Sequence, residues 1–231
     1  MARVHFIGGE KGGVGKSVVA RLLSQYFIDR AIPFLGFDTD RSHGSLIRFY
    51  ADYASPVVID QFEGLDGIVE AAVADPERRI VVDLAAQTQR FLSQWIDESG
   101  LLDPDSGLDV PMTYWHVMDS GRDSAELLDR LLDEFGGRMS LVVVLNEVRG
   151  NDFAIVESTG ALTRAREAGA SIVSIRRLQD AAMQKIDAQN TSFWAATHKD
   201  GHGQSTLGLL ERQRVKQWLR KGYDELDLLA L

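Results

Sequence analysis

Residues 9–17 read Gly-Glu-Lys-Gly-Gly-Val-Gly-Lys-Ser, between an apolar run, Val4–Gly8, and an amphipathic stretch that opens at Lys16. Few segments restrict a fold more. Glycines 12, 13 and 15 let the backbone curl until successive N–H groups face one anion, and the helix that follows adds the positive end of its dipole. Lys16 is placed to reach the β- and γ-phosphates of a nucleotide, and the Ser17 hydroxyl to ligate Mg²⁺. The general pattern G-x-x-x-x-G-K-[ST] has glycine at position 10, where this chain has Glu10.

A loop of this kind needs a strand before it and a helix behind it, and the rest of the chain repeats that alternation. Strand-like runs are predicted at Val4–Gly8, Phe34–Asp38, Arg79–Leu84, Thr113–Met118, Leu141–Val148 and Ser171–Ile175. Helices are predicted from about Lys16 to Arg30, Leu65 to Ala74, Asp123 to Phe135 and around Ala161–Ala168. Near-continuous Val/Ile/Leu runs indicate strands covered on both faces. The expected fold is therefore α/β, a doubly wound and mostly parallel sheet. Without a repeat or linker, residues 1–231 read as one domain, with a basic amphipathic helix near 206–222 and a loop-like stretch at Asp97–Pro111.

With Lys11 beside Gly12, Gly13, Gly15, Lys16 and Ser17, the segment resembles the deviant Walker A motif of the ParA/MinD family of ATPases. The resemblance runs over roughly residues 3–180. It implies ATP and Mg²⁺ as cofactors, with nucleotide contacts from Gly12, Gly13, Val14, Gly15, Lys16, Ser17 and Val18. It makes Lys16 the cis lysine and Lys11 a trans lysine that reaches the nucleotide of a partner subunit. Asp38-Thr39-Asp40 matches the family's Asp-x-Asp, in which the second aspartate orients the attacking water and the first supports the magnesium shell. Val81-Val82-Asp83-Leu84 looks like the Walker B strand, with Asp83 meeting Mg²⁺ through water. Asn146 corresponds to the family's asparagine that reads the adenine edge. Arg176 and Arg177 fall where its other base contacts lie. Catalytic roles then go to Lys11, Lys16 and Asp40, and metal roles to Ser17, Asp38 and Asp83.

The chain departs from the family after Asp83. Asp-x-Pro-x-Gly is replaced by Asp83-Leu84-Ala85-Ala86-Gln87, which predicts loss of the special geometry that Pro and Gly confer. Gln87 could instead bond the γ-phosphate or the attacking water. The 83–89 segment and the Trp-containing tail also resemble ParA-like proteins encoded with plasmid transfer or stability systems.

Composition narrows the function. The chain has no cysteine, which excludes Cys-ligated iron–sulfur clusters, Cys-ligated zinc and thiol-bound arsenite. What the resemblance leaves is a switch: an ATP-dependent homodimer with slow hydrolysis and an activating protein partner, positioning or partitioning DNA or a protein assembly. The alternative is a metabolic ligase-type enzyme of the same fold that uses ATP to activate a small carboxylate. The net charge of −9 argues against a wholly nucleic-acid-binding surface, yet residues 212–221 are strongly basic. Three readings of that stretch stand: a helix docked by Val215, Trp218 and Leu219 with a solvated basic back, a non-specific DNA grip, or a membrane-surface helix, which Asp224, Glu225 and Asp227 oppose. The aromatic stretches at 114–118 and 193–194 and His116 are expected in the core, and His198 with His202 is not expected to bind metal. No run of about 18 apolar residues occurs, and Met1–Ile7 leaves no room for a secretory signal. A cytoplasmic protein is expected.

Overall fold

The computed structural model describes residues 3–40, 44–108, 110–199, 203, 205–229 and 231. Seven strands form one sheet: β1 (Arg3–Gly8), β2 (Phe34–Asp38), β3 (Ala54–Pro56), β4 (Arg79–Asp83), β5 (Met112–Met118), β6 (Ser140–Asn146) and β7 (Ser171–Ile175). Their order is β3-β2-β4-β1-β5-β6-β7, and every pairing is parallel. The helices are α1 (Lys16–Asp29), α2 (Ser45–Phe49), α3 (Phe62–Ala74), α4 (Gln89–Glu98), α5 (Arg122–Phe135), α6 (Ala154–Ser158), α7 (Ala161–Glu167), α8 (Asp180–Ala188), α9 (Phe193–Thr197) and α10 (Leu209–Leu226).

Alternation along each buried strand sends side chains to two separate cores. Val4, Phe6, Ile80, Val82, Tyr114 and Val143 join the core under α3, α4, α5 and α7. Ile7, Val81, Trp115, Val117, Val144 and Val173 join the one under α1, α2, α8, α9 and α10. Each large side chain fully buried in this way contributes about 1.5–3 kcal/mol. Trp115 also keeps its polar handle satisfied, its Nε1–H donating to His5 Nδ1 at 3.2 Å. Burial pushes the His5 imidazole down to about 3, so the ring is neutral.

Several boundaries differ from expectation: the helix expected from Leu65 begins at Phe62, and the strand expected to reach Leu84 ends at Asp83. The sixth strand stops at Asn146, and Glu147–Arg149 turn as a 3₁₀ helix instead of extending it. The basic helix spans Leu209–Leu226, not 206–222. It docks by Val215, Trp218 and Leu219, while Arg214, Lys216, Arg220 and Lys221 are exposed. Its acidic end is structural: Glu225 Oε2 accepts the Ser174 N–H of edge strand β7 at 3.0 Å, and Trp218 Nε1–H donates to the Arg176 carbonyl at 2.6 Å. The C-terminal end is also strapped to α1. Tyr26 Oη donates to Asp227 at 2.8 Å, Arg30 meets the same carboxylate at 2.7 Å, and Tyr223 Oη donates to Asp29 at 2.7 Å. No described helix is long and apolar enough to cross a membrane.

Candidate nucleotide site

The carboxyl ends of β1, β2, β4, β5 and β6 meet along one edge of the sheet, where the strand order reverses on either side of β1. Open α/β sheets bind ligands at such a switch point. The loop from Gly9 to Gly15 leaves β1 there. Gly15, at φ 90°, is the last residue before α1, and its carbonyl accepts the N–H groups of Val18 and Val19, both at 3.1 Å. Val14 is buried, Gly12 and Gly13 are exposed, and Ser17 and Val18 are half-buried. The Lys16 side chain folds back over the loop and donates to the Lys11 carbonyl at 3.2 Å. Burial lowers the Lys16 ammonium's pKa, against the charges of Asp83, Glu10 and Asp40, which favour its protonated form. Asn146 donates through Nδ2 to the Val14 carbonyl at 2.8 Å. A side chain on Gly15 would place its Cβ 2.2 Å from that same nitrogen.

The aspartates occupy two strand ends in register, Asp38 opposite Asp83. Burial pushes the Asp83 carboxyl up to about 7, the neighbouring Asp38 adds to the rise, and a hydrogen bond from Ser17 works against it. Its Oδ1 is buried without a hydrogen-bond partner. A buried, orphaned carboxylate oxygen beside a serine hydroxyl fits a hard divalent cation, and Ser17 with Asp83 would hold Mg²⁺ jointly with nucleotide phosphates and water. Among the described residues there is no cluster of three or more His, Cys, Asp or Glu side chains arranged to hold a metal; a cation that keeps phosphate and water ligands needs none. Asp38 is differently engaged. Its Oδ1 accepts the Asp40 N–H at 3.0 Å, and its Oδ2 accepts Leu46 and Ile47 N–H at 2.7 and 3.2 Å, so it holds the start of α2 while facing Asp83. Asp40 lies close enough to act electrostatically on both Lys16 and Asp83.

Lys11 lies at the rim, its ammonium 3.1 Å from either oxygen of Asp119 and 2.8 Å from Asp123. Partial burial of Lys11 lowers its pKa, but hydrogen bonds to Asp123 and Asp119 outweigh that and leave it raised. Asp119 follows β5 and is a hub that sequence reading missed. It also accepts Ser124 Oγ at 2.6 Å and the Gly121 N–H at 3.1 Å, and it pairs with Arg149 at 3.3 Å. Burial raises the Asp119 carboxyl, yet these donors and Lys11 bring it below the usual carboxylate range. An aspartate closing a buried strand, as Asp83 does, was the available signal.

The segment after Asp83 corrects one expectation. Gln87 adopts φ 64°, a left-handed conformation that favours glycine, so the backbone keeps glycine-like geometry without the glycine. Ala85 N–H donates to Thr39 Oγ1 at 2.8 Å, and Gln89 N–H donates to Glu10 Oε1 at 3.0 Å. Glu10 is a second residue of the site that the linear pattern did not single out, except as a departure from glycine.

Elsewhere, Arg177 is turned away into an ion pair with Asp180, and Arg176 is exposed beside Trp218. Tyr114, Trp115, His116 and Phe193 are buried, but Trp194 is 53% exposed and stacks on His198 at 4.4 Å, which overturns its expected core placement. His202 lies outside the described residues.

No protein-family model matches the chain. Protein MobD of Acidithiobacillus ferrooxidans is 26% identical over 199 residues, covering 84% of this chain and 86% of that protein. Protein TraL of Escherichia coli is 24% identical over 245 residues, covering all of both. Among solved structures, MinD from Aquifex aeolicus superposes with a TM-score of 0.55 at 12% identity over 94% of this chain and 97% of its own. A nucleotide-binding protein from Archaeoglobus fulgidus in complex with ADP gives 0.53 at 14% over 81% and 86%. Chloroplast FtsY from Physcomitrella patens gives 0.53 at 14% over 76% of this chain, which spans 58% of FtsY. The fold is that of the MinD- and FtsY-like P-loop proteins, with an all-parallel, seven-stranded sheet.

Proposed function

We propose that the chain is a ParA/MinD-like ATPase whose ATP-bound form is a dimer and whose slow, Mg²⁺-dependent hydrolysis ends that form. The observation that carries this reading is the presence of two lysines on one phosphate loop. Lys16 is buried and folded over the loop, whereas Lys11 stands at the rim and is held by carboxylates and not by the loop. In this reading one lysine serves the loop's own phosphates, and the other, once released from its carboxylates, serves a second nucleotide.

In this reading the curled backbone of Gly12, Gly13, Val14 and Gly15 cradles the phosphates, and Lys16 shifts from the Lys11 carbonyl to the β- and γ-phosphates. Ser17 and Asp83 would hold Mg²⁺, which when bound would supply charge screening for the phosphates, and Asp38 orders the strand end beside them. Asp40 orients the attacking water, Val18 packs beside the nucleotide, and Asn146 steadies the loop and turns its remaining amide valences to adenine. ATP thus biases a two-state association, and the lifetime of the dimer is set by hydrolysis. We place the protein in the cytoplasm, with an activating protein partner and with a DNA or protein assembly of a plasmid-transfer system as cargo. Full-length similarity to TraL and similarity to MobD support the plasmid-transfer context.

The test is mass by light scattering with ATP and Mg²⁺, comparing Asp40→Ala with Asp40→Ala/Lys11→Ala. A doubling of mass that Lys11→Ala abolishes supports the switch. A mass unaffected by nucleotide or by Lys11 rejects it in favour of the ligase-type enzyme.

A further inference from the structure

We propose that Glu10 is a positioning residue that ties the phosphate loop to the segment following Asp83, so that the two respond to the γ-phosphate as one body. The inference rests on the ATPase reading above. α4 begins at Gln89, and the residue before it, Thr88, makes no side-chain cap; its hydroxyl bonds the Ala85 carbonyl at 2.9 Å. The cap comes instead from 79 positions away, Glu10 Oε1 accepting the Gln89 N–H at 3.0 Å. A carboxylate at a helix N-terminus is favoured both by the free N–H and by the helix dipole.

Two further hydrogen bonds make this more than a local cap. Gln89 Nε2 donates to Glu134 Oε2 at 2.7 Å, which holds the same residue against α5. Ala85 N–H bonds Thr39 Oγ1, the neighbour of Asp40, at 2.8 Å. The 85–89 segment is therefore tied at one end to the aspartate strand and at the other to the phosphate loop, with left-handed Gln87 between the ties. Glu10 also acts electrostatically on Lys16, the group that meets the phosphates. The glycine of the general pattern at this position has no side chain with which to make the tie.

The experiment compares Glu10→Ala and Glu10→Gln with the parent by three readouts: ADP affinity, steady-state ATP hydrolysis, and amide hydrogen exchange across residues 84–92. Glu10→Ala is expected to speed Gln89 exchange about tenfold in nucleotide-free protein and to lower kcat about tenfold, with KM and ADP affinity within about twofold. Glu10→Gln keeps an acceptor oxygen and is expected to restore both within about threefold. Unchanged exchange in Glu10→Ala overturns the tie. Faster exchange with unchanged kcat reduces it to a helix cap and overturns the positioning role. A Glu10→Gln variant as impaired as Glu10→Ala assigns the effect to charge and overturns the bond. If the parent hydrolyses no ATP, the ATPase reading fails, and the exchange comparison still decides whether the tie exists.

Discussion

Lys11 and Asp119, 108 positions apart in the chain, meet at 3.1 Å at the rim of the phosphate loop. The carboxylate is 1% exposed and shared with Arg149, whereas the second carboxylate on Lys11, that of Asp123, is 65% exposed. Before Lys11 reaches anything outside its own subunit it must leave both.

Replacing Asp123 with alanine removes the exposed partner without uncovering a buried charge. An exposed pair is worth about 0.2–1 kcal/mol and a symmetric dimer frees two lysines, so in the Asp40→Ala background the ATP-dependent dimer is expected at roughly two- to thirtyfold lower protein concentration. Sedimentation or light scattering across a dilution series measures this. An unchanged midpoint would mean that Lys11 release carries no part of the association energy.

Gly15→Ala is expected to cost nucleotide binding outright. The new Cβ would stand 2.2 Å from Asn146 Nδ2, and φ 90° is strained for any side chain. Strain and a displaced Asn146–Val14 bond together destabilise the fold by about 2–3 kcal/mol. Denaturant melts and ADP titration test the two effects separately.

Gln87→Gly removes the cost of holding a side chain at φ 64°, partly offset by the greater freedom of glycine in the unfolded chain. The expected result is a denaturation midpoint that is equal or higher, by up to about 1 kcal/mol. Hydrolysis by the same variant, compared with Gln87→Ala, which keeps a side chain at this φ, then separates the added backbone freedom from the amide side chain. A fall of about tenfold with the fold intact would assign it to the attacking water or the γ-phosphate, and an unchanged rate would leave only the backbone N–H in that role.

The Asp83 carboxyl, raised to about 7 by burial and by Asp38, fixes the sign of a pH effect. The folded chain holds this proton up to about pH 7, whereas the unfolded chain loses it near pH 4. The contribution of the group to stability therefore falls as pH rises from about 4 to about 7, and it stays low above that. Asp83→Asn is expected to melt roughly 4–8 °C above the parent at pH 8, corresponding to about 2 kcal/mol, and near it at pH 4. If Asp83 holds Mg²⁺ as proposed, Mg²⁺–nucleotide binding to the parent takes the ionised form and should release close to one proton at pH 6 and none at pH 9. Calorimetry in two buffers of different ionisation enthalpy measures that difference.

The central strands were legible because each is a run of apolar residues long enough to be buried on both faces, and the phosphate loop because its glycines and lysines are contiguous. Elements of three to five residues, β3, α2 and α9, offer too few positions for a period to show. Phe193 and Trp194 looked alike in sequence, yet adjacent helical positions point about 100° apart, so only Phe193 reaches the core. The acidic end of α10 looked like an interruption and serves instead as the partner of Ser174, Tyr26 and Arg30. The site's own ties, Glu10 to Gln89, Lys11 to Asp119 and Asn146 to Val14, join residues 79, 108 and 132 positions apart. Such pairs are made by topology, and no local spacing announces them.

The straps between α10 and α1 give the helix behind the phosphate loop a second handle. α1 is a rod of 14 residues, about 21 Å long, with Lys16 at one end and Tyr26, Asp29 and Arg30 lashed to the C-terminal helix at the other. In the function proposed above, a load on the basic back of α10 would be borne by the same rod whose first turn meets the phosphates, so that tension at either end would be felt at the other.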